Sequence, residues 1–204
     1  MDTYVERLQE LDAATVHEAA GRTGHLAPSV RPIQQGVVVA GRAVTAECHP
    51  GDNLAIHRAI LEAEPGDVLV AAARGHIAGY WGEIMAVAAQ VRGITALVID
   101  GGCRDVAAIR GRGFPVWSTG ISVHGCVKLT AGQIQVPVVA AGVVVNPGDY
   151  VIADDDGVVV VEQARIAEVL DVADARTEKE SEIMRRLAEG ETTIDLMHMP
   201  GSRA

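Results

Sequence analysis

Two short apolar runs with a helical pattern between them place the strongest constraint on the fold of this chain. The runs cover residues 68–73 and 96–99, consist of Val, Leu, Ile and Ala, and are bounded by Pro, Gly, Asp and Arg. Runs of this length that end in turn residues are typical of strands buried on both faces. With a helix expected over Ile84–Arg92, the pattern predicts a β–α–β unit from Asp67 to Asp100.

The rest of the chain predicts a layered arrangement. Strands are expected at residues 37–47, 115–117, 136–141, 143–145, 150–153 and 158–161, and helices at 5–21, 53–64 and about 162–190. Because strands both alternate with helices and follow one another directly, the order favours an α/β protein built as a layered α/β/β sandwich. The chain has 204 residues, 49% of them hydrophobic, and no low-complexity segment. Residues 1–204 are therefore expected to form a single domain.

Charged residues follow the predicted strand ends. Arg104 and Asp105 come just after the turn Asp100-Gly-Gly, and Glu83 begins the predicted helix after a glycine-rich loop that includes Gly82. In open α/β sheets, ligand-binding groups collect at the carboxyl ends of strands. Glycines there let backbone N–H groups approach a ligand closely.

The start of the predicted helix adds an anion-binding element. The N–H groups of Ile84 and Met85 are expected to lack helical partners, and the helix dipole favours negative charge at this end. Together with Arg104 and Asp105, they predict a divalent-metal site beside an anion clamp. The alternative interpretation is a surface turn in which Arg104 and Asp105 form a weak ion pair.

Several nearby residues have two interpretations. Asp52 and Asn53 are predicted to cap the helix that follows, which accounts for them without a site role. His57, one turn on, is interpreted as a packing residue and left out of the metal site. Lys128 is either a solvated lysine or an additional positive charge near the anion site, and Glu18 is an exposed helix residue on sequence alone.

Composition excludes several classes of protein. The three cysteines, Cys48, Cys103 and Cys126, lack disulfide or zinc spacing. Residues 154–157 lack the ligand spacing of a calcium loop and predict a tight turn. A net charge of −10 disfavours nucleic acid as a partner. No apolar run is long enough to span a membrane and the N-terminus is not of the export type, so a cytoplasmic protein is expected.

Motifs spread along the chain resemble the RraA-like family, which includes class II pyruvate aldolases acting on 4-hydroxy-4-methyl-2-oxoglutarate and 4-carboxy-4-hydroxy-2-oxoadipate. The likeness runs from about residue 10 to about residue 190. The motifs are Thr15-Val-His-Glu-Ala19, Gly51-Asp-Asn-Leu-Ala-Ile-His57, Tyr80-Trp-Gly-Glu83, Asp100-Gly-Gly-Cys-Arg-Asp105, Phe114-Pro-Val-Trp117, Asn146-Pro-Gly-Asp149 and Ala153-Asp-Asp-Asp-Gly-Val158.

The resemblance implies a swivelling-type β/β/α fold and a homotrimer or hexamer with sites between subunits. It also implies that Asp105 binds Mg²⁺ or Mn²⁺ and that the acid at position 83 acts through water on the ion. Arg104, with its planar fork of donors, is expected to clamp the substrate carboxylate or to stabilise the alkoxide. Glu18 matches an acidic position that approaches the metal from a neighbouring subunit. The aldolase members carry Asp where this chain has Glu83, which keeps the carboxylate and lengthens its reach by one methylene.

The implied reaction is retro-aldol cleavage of a 4-hydroxy-2-oxo acid to pyruvate, with oxaloacetate decarboxylation as a possible second activity through the same enolate. The alternative function is a non-catalytic regulator that binds a ribonuclease, because the non-enzymatic members of the family resemble ribonuclease inhibitors. The Arg104–Asp105 turn and the acid at position 83 favour the enzyme.

Overall fold

A curled sheet lies at the centre of the structure, a computed structural model that describes residues 2–200. Its nine strands are β1 (Arg31–Pro32), β2 (Val39–Glu47), β3 (Val68–Ala72), β4 (Gly79–Trp81), β5 (Ala96–Cys103), β6 (Val116–Ile121), β7 (Gln133–Ile134), β10 (Tyr150–Ala153) and β11 (Val158–Val161). Strands β8 (Val138–Ala140) and β9 (Val143–Val145) form a separate antiparallel hairpin. The helices are α1 (Thr3–Gln9), α2 (Ala13–Ala19), α3 (Leu54–Glu62), α4 (Glu83–Val91), α5 (Val106–Arg112), α6 (Ile166–Ala188) and α7 (Thr193–Leu196).

The sheet follows the order β1-β6-β5-β3-β2-β10-β11, with β4 beside β5 and β7 beside β2. Strands β2, β3, β5 and β6 run parallel, as the β–α–β pattern predicts, whereas β10 and β11 are antiparallel. The curl occurs within β2, because residues 39–42 pair with β10 and residues 43–47 pair with β3. At the bend Gly41 lies against β3, where a Cβ would come within 2.5 Å of the Gly66 carbonyl oxygen.

Three apolar clusters produce the layers. Helices α3, α4 and α5 pack on one face of the parallel strands, and the β8–β9 hairpin packs on the other. Helices α1, α2 and α6 cover β10 and β11. The mixed α/β fold and its layered α/β/β arrangement are therefore confirmed.

The expected single helix over residues 5–21 is wrong, because the chain breaks between α1 and α2. Asp12 lies at the break, and its carboxylate accepts the Thr15 N–H at 2.7 Å and so caps α2. The N–H of Ala13 donates to Asp154 at 2.8 Å, which anchors α2 to the β10–β11 turn. Apolar periodicity continues through both helices, so the break comes from these hydrogen bonds.

The late helix is a 3₁₀ turn at Gln163–Arg165 followed by α6, and the charged residues 176–180 do not interrupt it.

Met1 and residues 201–204, which belong to the predicted domain, lie outside the described residues. Within residues 2–200 the structure contains no helix whose length and apolar content would let it cross a bilayer.

Candidate active site

The candidate site lies where β4 and β5 end side by side. These strands are parallel neighbours, so the chain leaves both at the same edge of the sheet. The N–H of Arg104 donates to the Trp81 carbonyl oxygen at 2.8 Å, and the N–H of Glu83 donates to Asp105 Oδ2 at 3.1 Å. These two bonds join the ends of the strands and fix the spacing of the site.

Arg104 and Asp105 form a loose pair that is open to solvent. The Nε of Arg104 is 3.8 Å from Asp105 Oδ2, and each side chain is 45% exposed. The Arg104 guanidinium donates no hydrogen bond to any residue in the described range 2–200. Asp105 has a φ of 56°, a left-handed conformation that Asp tolerates better than most residues, and this turns the chain into α5.

Two glycines make room for this pair. A Cβ on Gly82 would lie 2.6 Å from Asp105 Oδ2 and 3.3 Å from Arg104 Nε, and a Cβ on Gly79 would lie 2.9 Å from Arg104 Cδ. Gly82 has an extended φ of −148°, which any residue can adopt. The glycine is therefore needed for space beside the carboxylate, a different reason from the close backbone approach that the sequence suggested.

A pocket of about 100 Å³ opens at this edge. Its lining brings together the predicted residues Gly82, Ile84, Met85, Arg104 and Asp105. It also includes Asn53, His57 and Lys128, for which the sequence alone does not predict a site role. The complete lining is Asn53, His57, Gly79, Tyr80, Gly82, Ile84, Met85, Arg104, Asp105 and Lys128.

Glu83 is not among the residues that line this pocket. Its carboxylate oxygen Oε1 accepts from Arg112 Nε at 2.8 Å and lies 2.7 Å from Arg112 Nη2. The bidentate pair joins the start of α4 to the end of α5. The role of Glu83 in the chemistry stays a prediction, because its carboxylate would have to leave Arg112 to reach a ligand.

The start of α4 offers fewer free donors than the sequence suggested. The Glu83 N–H is taken by Asp105, and the Met85 N–H donates to the Gly82 carbonyl oxygen at 3.1 Å. Among the first three residues of α4, only Ile84 has an N–H without an acceptor in the described part of the chain. Ile84 itself is 83% exposed beside the pocket.

Asn53 and His57 line the pocket, and each has one buried polar atom without a partner in the described residues. Asn53 is 5% exposed, and its Oδ1 has no hydrogen-bond partner within residues 2–200. The Nε2 of His57 is likewise buried without a partner there. Burial, together with the nearby positive charge of Lys128, lowers the pKa of His57 below its usual value.

Asp52 provides the helix cap that the sequence assigned to both residues. Its Oδ1 accepts from the Leu54 N–H at 2.9 Å, whereas Asn53 makes no side-chain cap bond. Two adjacent residues that can each cap the same helix are a signal in the sequence. One capping side chain is enough, so the side chain of the other is available for a ligand.

Burial disfavours the thiolate form of Cys48 and Cys103. Burial raises the pKa of Cys103, which precedes Arg104, and raises the pKa of Cys48 to about 12. Both side chains are therefore thiols at neutral pH, whereas thiolates are the reactive form.

The acidic residues permit a hard cation held by one carboxylate. No group of three or more His, Cys, Asp or Glu side chains converges in the described residues to form a protein-only metal cage. Magnesium and manganese need no such cage, because one or two carboxylates suffice when water and substrate oxygens complete the shell. Asp105 fits this role, since its Oδ2 is held by the Glu83 N–H and its Oδ1 accepts no hydrogen bond from residues 2–200.

Comparisons with known proteins agree on one family. The sequence profile of the RraA-like family, described as Aldolase/RraA, matches residues 11–160. A protein of Halalkalibacterium halodurans described as "Putative 4-hydroxy-4-methyl-2-oxoglutarate aldolase" is 31% identical over 171 residues, covering 83% of this chain and 81% of that protein.

Two solved structures show the same fold. RraAS2 of Streptomyces coelicolor, described as an unusual member of the RNase ES inhibitor RraA protein family, is 31% identical. It has a TM-score of 0.80 and covers 91% of this chain and 96% of its own. An uncharacterised protein of Pseudomonas syringae has a TM-score of 0.85 at 28% identity, covering 97% of this chain and 98% of that one. This chain belongs to the RraA-like family.

Proposed function

We propose that this protein is a divalent-metal-dependent lyase that cleaves 4-hydroxy-2-oxo acids of the 4-hydroxy-4-methyl-2-oxoglutarate type to pyruvate. One observation carries the proposal. The Arg104 guanidinium donates no hydrogen bond within residues 2–200 and lies 3.8 Å from the Asp105 carboxylate in the pocket lining, at the carboxyl ends of parallel strands. A guanidinium without a protein acceptor is suited to bind a substrate carboxylate in two-pronged fashion.

The residues of the pocket suit the charge changes of a retro-aldol cleavage. When the bond between C3 and C4 breaks, its electrons move into an enolate on the pyruvate part. The C4 hydroxyl gives its proton to a water molecule in the solvent-open pocket, and C4 becomes the carbonyl carbon of the second product. The cations of Arg104 and Lys128 stabilise the negative charge that develops. The enolate then takes one proton from water at C3, which gives pyruvate and balances the proton released from C4.

Asp105 is the residue that would hold Mg²⁺ or Mn²⁺. When bound, such an ion supplies Lewis-acid stabilisation of the enolate oxygen. Gly82 leaves the space that keeps Asp105 against Arg104, and the Glu83 N–H orients the carboxylate. The same enolate forms when oxaloacetate loses its carboxylate, so we include oxaloacetate decarboxylation as a second activity.

The relative from Halalkalibacterium halodurans supports the lyase by its description. We also propose that the protein assembles as a homotrimer or hexamer, with a 2-oxo acid as its small-molecule partner and no nucleic acid partner.

The second candidate function is a protein-binding regulator without catalysis. It is favoured by the similarity to RraAS2, which its description places among inhibitors of a ribonuclease, and by the Glu83 carboxylate being held by Arg112. In this reading the net charge of −10 would serve binding to a basic partner surface.

A coupled pyruvate-release assay separates the two functions. It should be run on 4-hydroxy-2-oxo acids and oxaloacetate with magnesium, with manganese and with chelator. We expect metal-dependent release that Asp105→Asn abolishes, because an amide replaces the charged ligand, while the thermal midpoint stays within a few degrees of the wild type. Full turnover by Asp105→Asn would remove this residue from the mechanism, and no release from any substrate would favour the regulator.

A further inference from the structure

Two unpaired polar atoms at the start of α3, one on its N-cap residue and one in its first turn, point to a recognition role for this wall of the pocket. They are Asn53 Oδ1 and His57 Nε2, both buried and without protein partners in the described range. The His57 N–H donates to the Asn53 carbonyl oxygen at 3.3 Å, so the two residues are one helical turn apart. Side chains with this spacing lie on the same helix face.

The orientation of the Asn53 amide is fixed by the protein. Its Nδ2 donates to the Tyr80 carbonyl oxygen at 2.8 Å and contacts Met85 Sδ at 3.4 Å. The remaining atom, Oδ1, can only accept a hydrogen bond. A buried acceptor left unpaired costs about 1–3 kcal/mol, so a ligand donor placed there gains binding energy.

The imidazole of His57 complements this acceptor. Burial and the positive charge of Lys128 lower the pKa of His57, so the ring is neutral at neutral pH. A neutral imidazole carries one N–H, and in the tautomer with the proton on Nε2 it donates into the pocket. Two lining residues one helical turn apart then carry one acceptor and one donor.

A hydroxyl group matches this pair, because its oxygen donates one hydrogen bond and accepts others. A carboxylate does not, since Asn53 Oδ1 would repel it. The lining also carries the cations Arg104 and Lys128, which suit carboxylates. The pocket therefore offers partners for a hydroxyl and for carboxylates.

We infer that Asn53 and His57 form a hydroxyl subsite, in which the ligand hydroxyl donates to Asn53 Oδ1 and accepts from His57 Nε2. This rests on the proposed function in assigning the C4 hydroxyl of the substrate to the subsite. The subsite makes the pocket selective for hydroxylated diacids over diacids of the same length without the hydroxyl.

Binding of two ligands that cannot be cleaved tests the inference apart from catalysis. Racemic 2-hydroxyglutarate and glutarate differ only by the hydroxyl, and both lack the 2-oxo group. Titration calorimetry in magnesium buffer should give affinity for 2-hydroxyglutarate that is higher by about 10-fold, the value of one or two neutral hydrogen bonds. Equal affinities, or no detectable binding of either ligand, would overturn the subsite.

A repeat with chelator separates the subsite from direct binding of the hydroxyl by a metal ion. A preference that persists without magnesium supports Asn53 and His57 as its source. A preference that requires magnesium assigns the hydroxyl to the ion and overturns the inference. Because pyruvate release is not part of this measurement, a preference without any turnover would reject the lyase and keep the subsite.

Variants of His57 give a second readout. His57→Phe keeps a flat ring but removes Nε2, and should reduce the preference to less than about 2-fold, whereas His57→Gln restores a donor and should retain part of it. His49→Phe is the matched control, because His49 is exposed outside this pocket. Thermal midpoints verify that each variant folds. Full preference in a folded His57→Phe variant would contradict the inference.

Discussion

At the scale of single residues, the positions of the site side chains depend on the space around them as well as on their charges. Arg104 and Asp105 are half-exposed, and their arrangement depends on the missing side chain of Gly82. A Cβ at position 82 would lie 2.6 Å from Asp105 Oδ2, the same oxygen that accepts the Glu83 N–H. A single methyl group at this point should therefore disturb function more than stability.

The change Gly82→Ala tests this directly. We expect pyruvate release to fall at least about 10-fold, because the methyl group would displace the Asp105 carboxylate, and unfolding free energy to change by less than about 1.5 kcal/mol. Gly111→Ala is the control, since a Cβ there meets no atom within 4 Å and Ala is favoured in helix α5. Wild-type turnover in Gly82→Ala would show that the position of Asp105 is not critical.

Arg104→Lys tests the geometry of the anion clamp. Lysine keeps the positive charge and loses the two-pronged donor, so we expect kcat/KM for pyruvate release to fall by about 10- to 1000-fold, or about 1.4–4 kcal/mol. Steady-state kinetics on the 4-hydroxy-2-oxo acid measure the loss. A fall in kcat/KM of less than about 2-fold would contradict the anion clamp and support the alternative, in which Arg104 only forms a weak ion pair in a surface turn.

At the scale of elements, Asp52 joins the start of α3 to the segment that carries Lys128. Its Oδ2 accepts the N–H groups of Leu129 and Thr130, each at 2.7 Å, while its Oδ1 caps α3. Burial by itself would raise the pKa of Asp52, but the backbone N–H donors outweigh it, so the pKa is lowered from its ordinary value of 3.8. This residue positions two walls of the pocket.

Asp52→Asn should destabilise the protein by about 2–4 kcal/mol at pH 7, since an amide cannot accept all three N–H groups. The folded pKa is below 3.8, so the contribution of the carboxylate is present above pH 3.8 and is lost as the pH falls through the folded value. Urea denaturation across pH should show the two proteins converging below pH 3.8.

Asp67 provides a control with the opposite sign. Burial raises the pKa of Asp67, so the contribution of its charge is less favourable as the pH rises above 3.8. The stability of Asp67→Asn relative to the wild type should therefore increase with pH.

For Asp52, a difference in unfolding free energy between Asp52→Asn and the wild type that stays constant at all pH values would contradict the role assigned to its charge.

At the scale of the whole molecule, α6 divides into a packed half and an outer half. Ile166, Val169, Leu170 and Ala173 are buried against the antiparallel strands, whereas Met184 is 61% exposed. The outer half is held mainly by ion pairs along its own surface, such as Arg185 with Glu182 and Glu189. Ile183 and Leu187 in this half are only partly buried, and Met184 is exposed.

Leu170→Ala should cost about 2–5 kcal/mol of unfolding free energy because it leaves a cavity in a fully buried cluster. Met184→Ala, the matched change on the outer half, should cost less than about 0.5 kcal/mol in dilute monomeric protein. Urea denaturation gives both values. A loss for Met184→Ala that grows with protein concentration would instead show that an assembly covers this surface.

The sequence by itself determined the layers of the fold and the edge that carries the site. Apolar runs and turn residues are local signals, and parallel strands bring their carboxyl ends to one edge, so Arg104, Asp105 and the start of α4 were predictable neighbours. Glycines at positions 79 and 82 were also visible, although the reason for them was not.

Only the tertiary structure decided which side chains share the pocket and which are occupied elsewhere. Glu83 pairs with Arg112, 29 residues away, and Asn53 meets the Tyr80 carbonyl 27 residues away. Such contacts depend on rotamers and on how α3, α4 and α5 pack together, and no local pattern records them. The bonds from the Leu129 and Thr130 N–H groups to Asp52, and from the Ala13 N–H to Asp154, have the same origin, because they join residues 77, 78 and 141 positions apart.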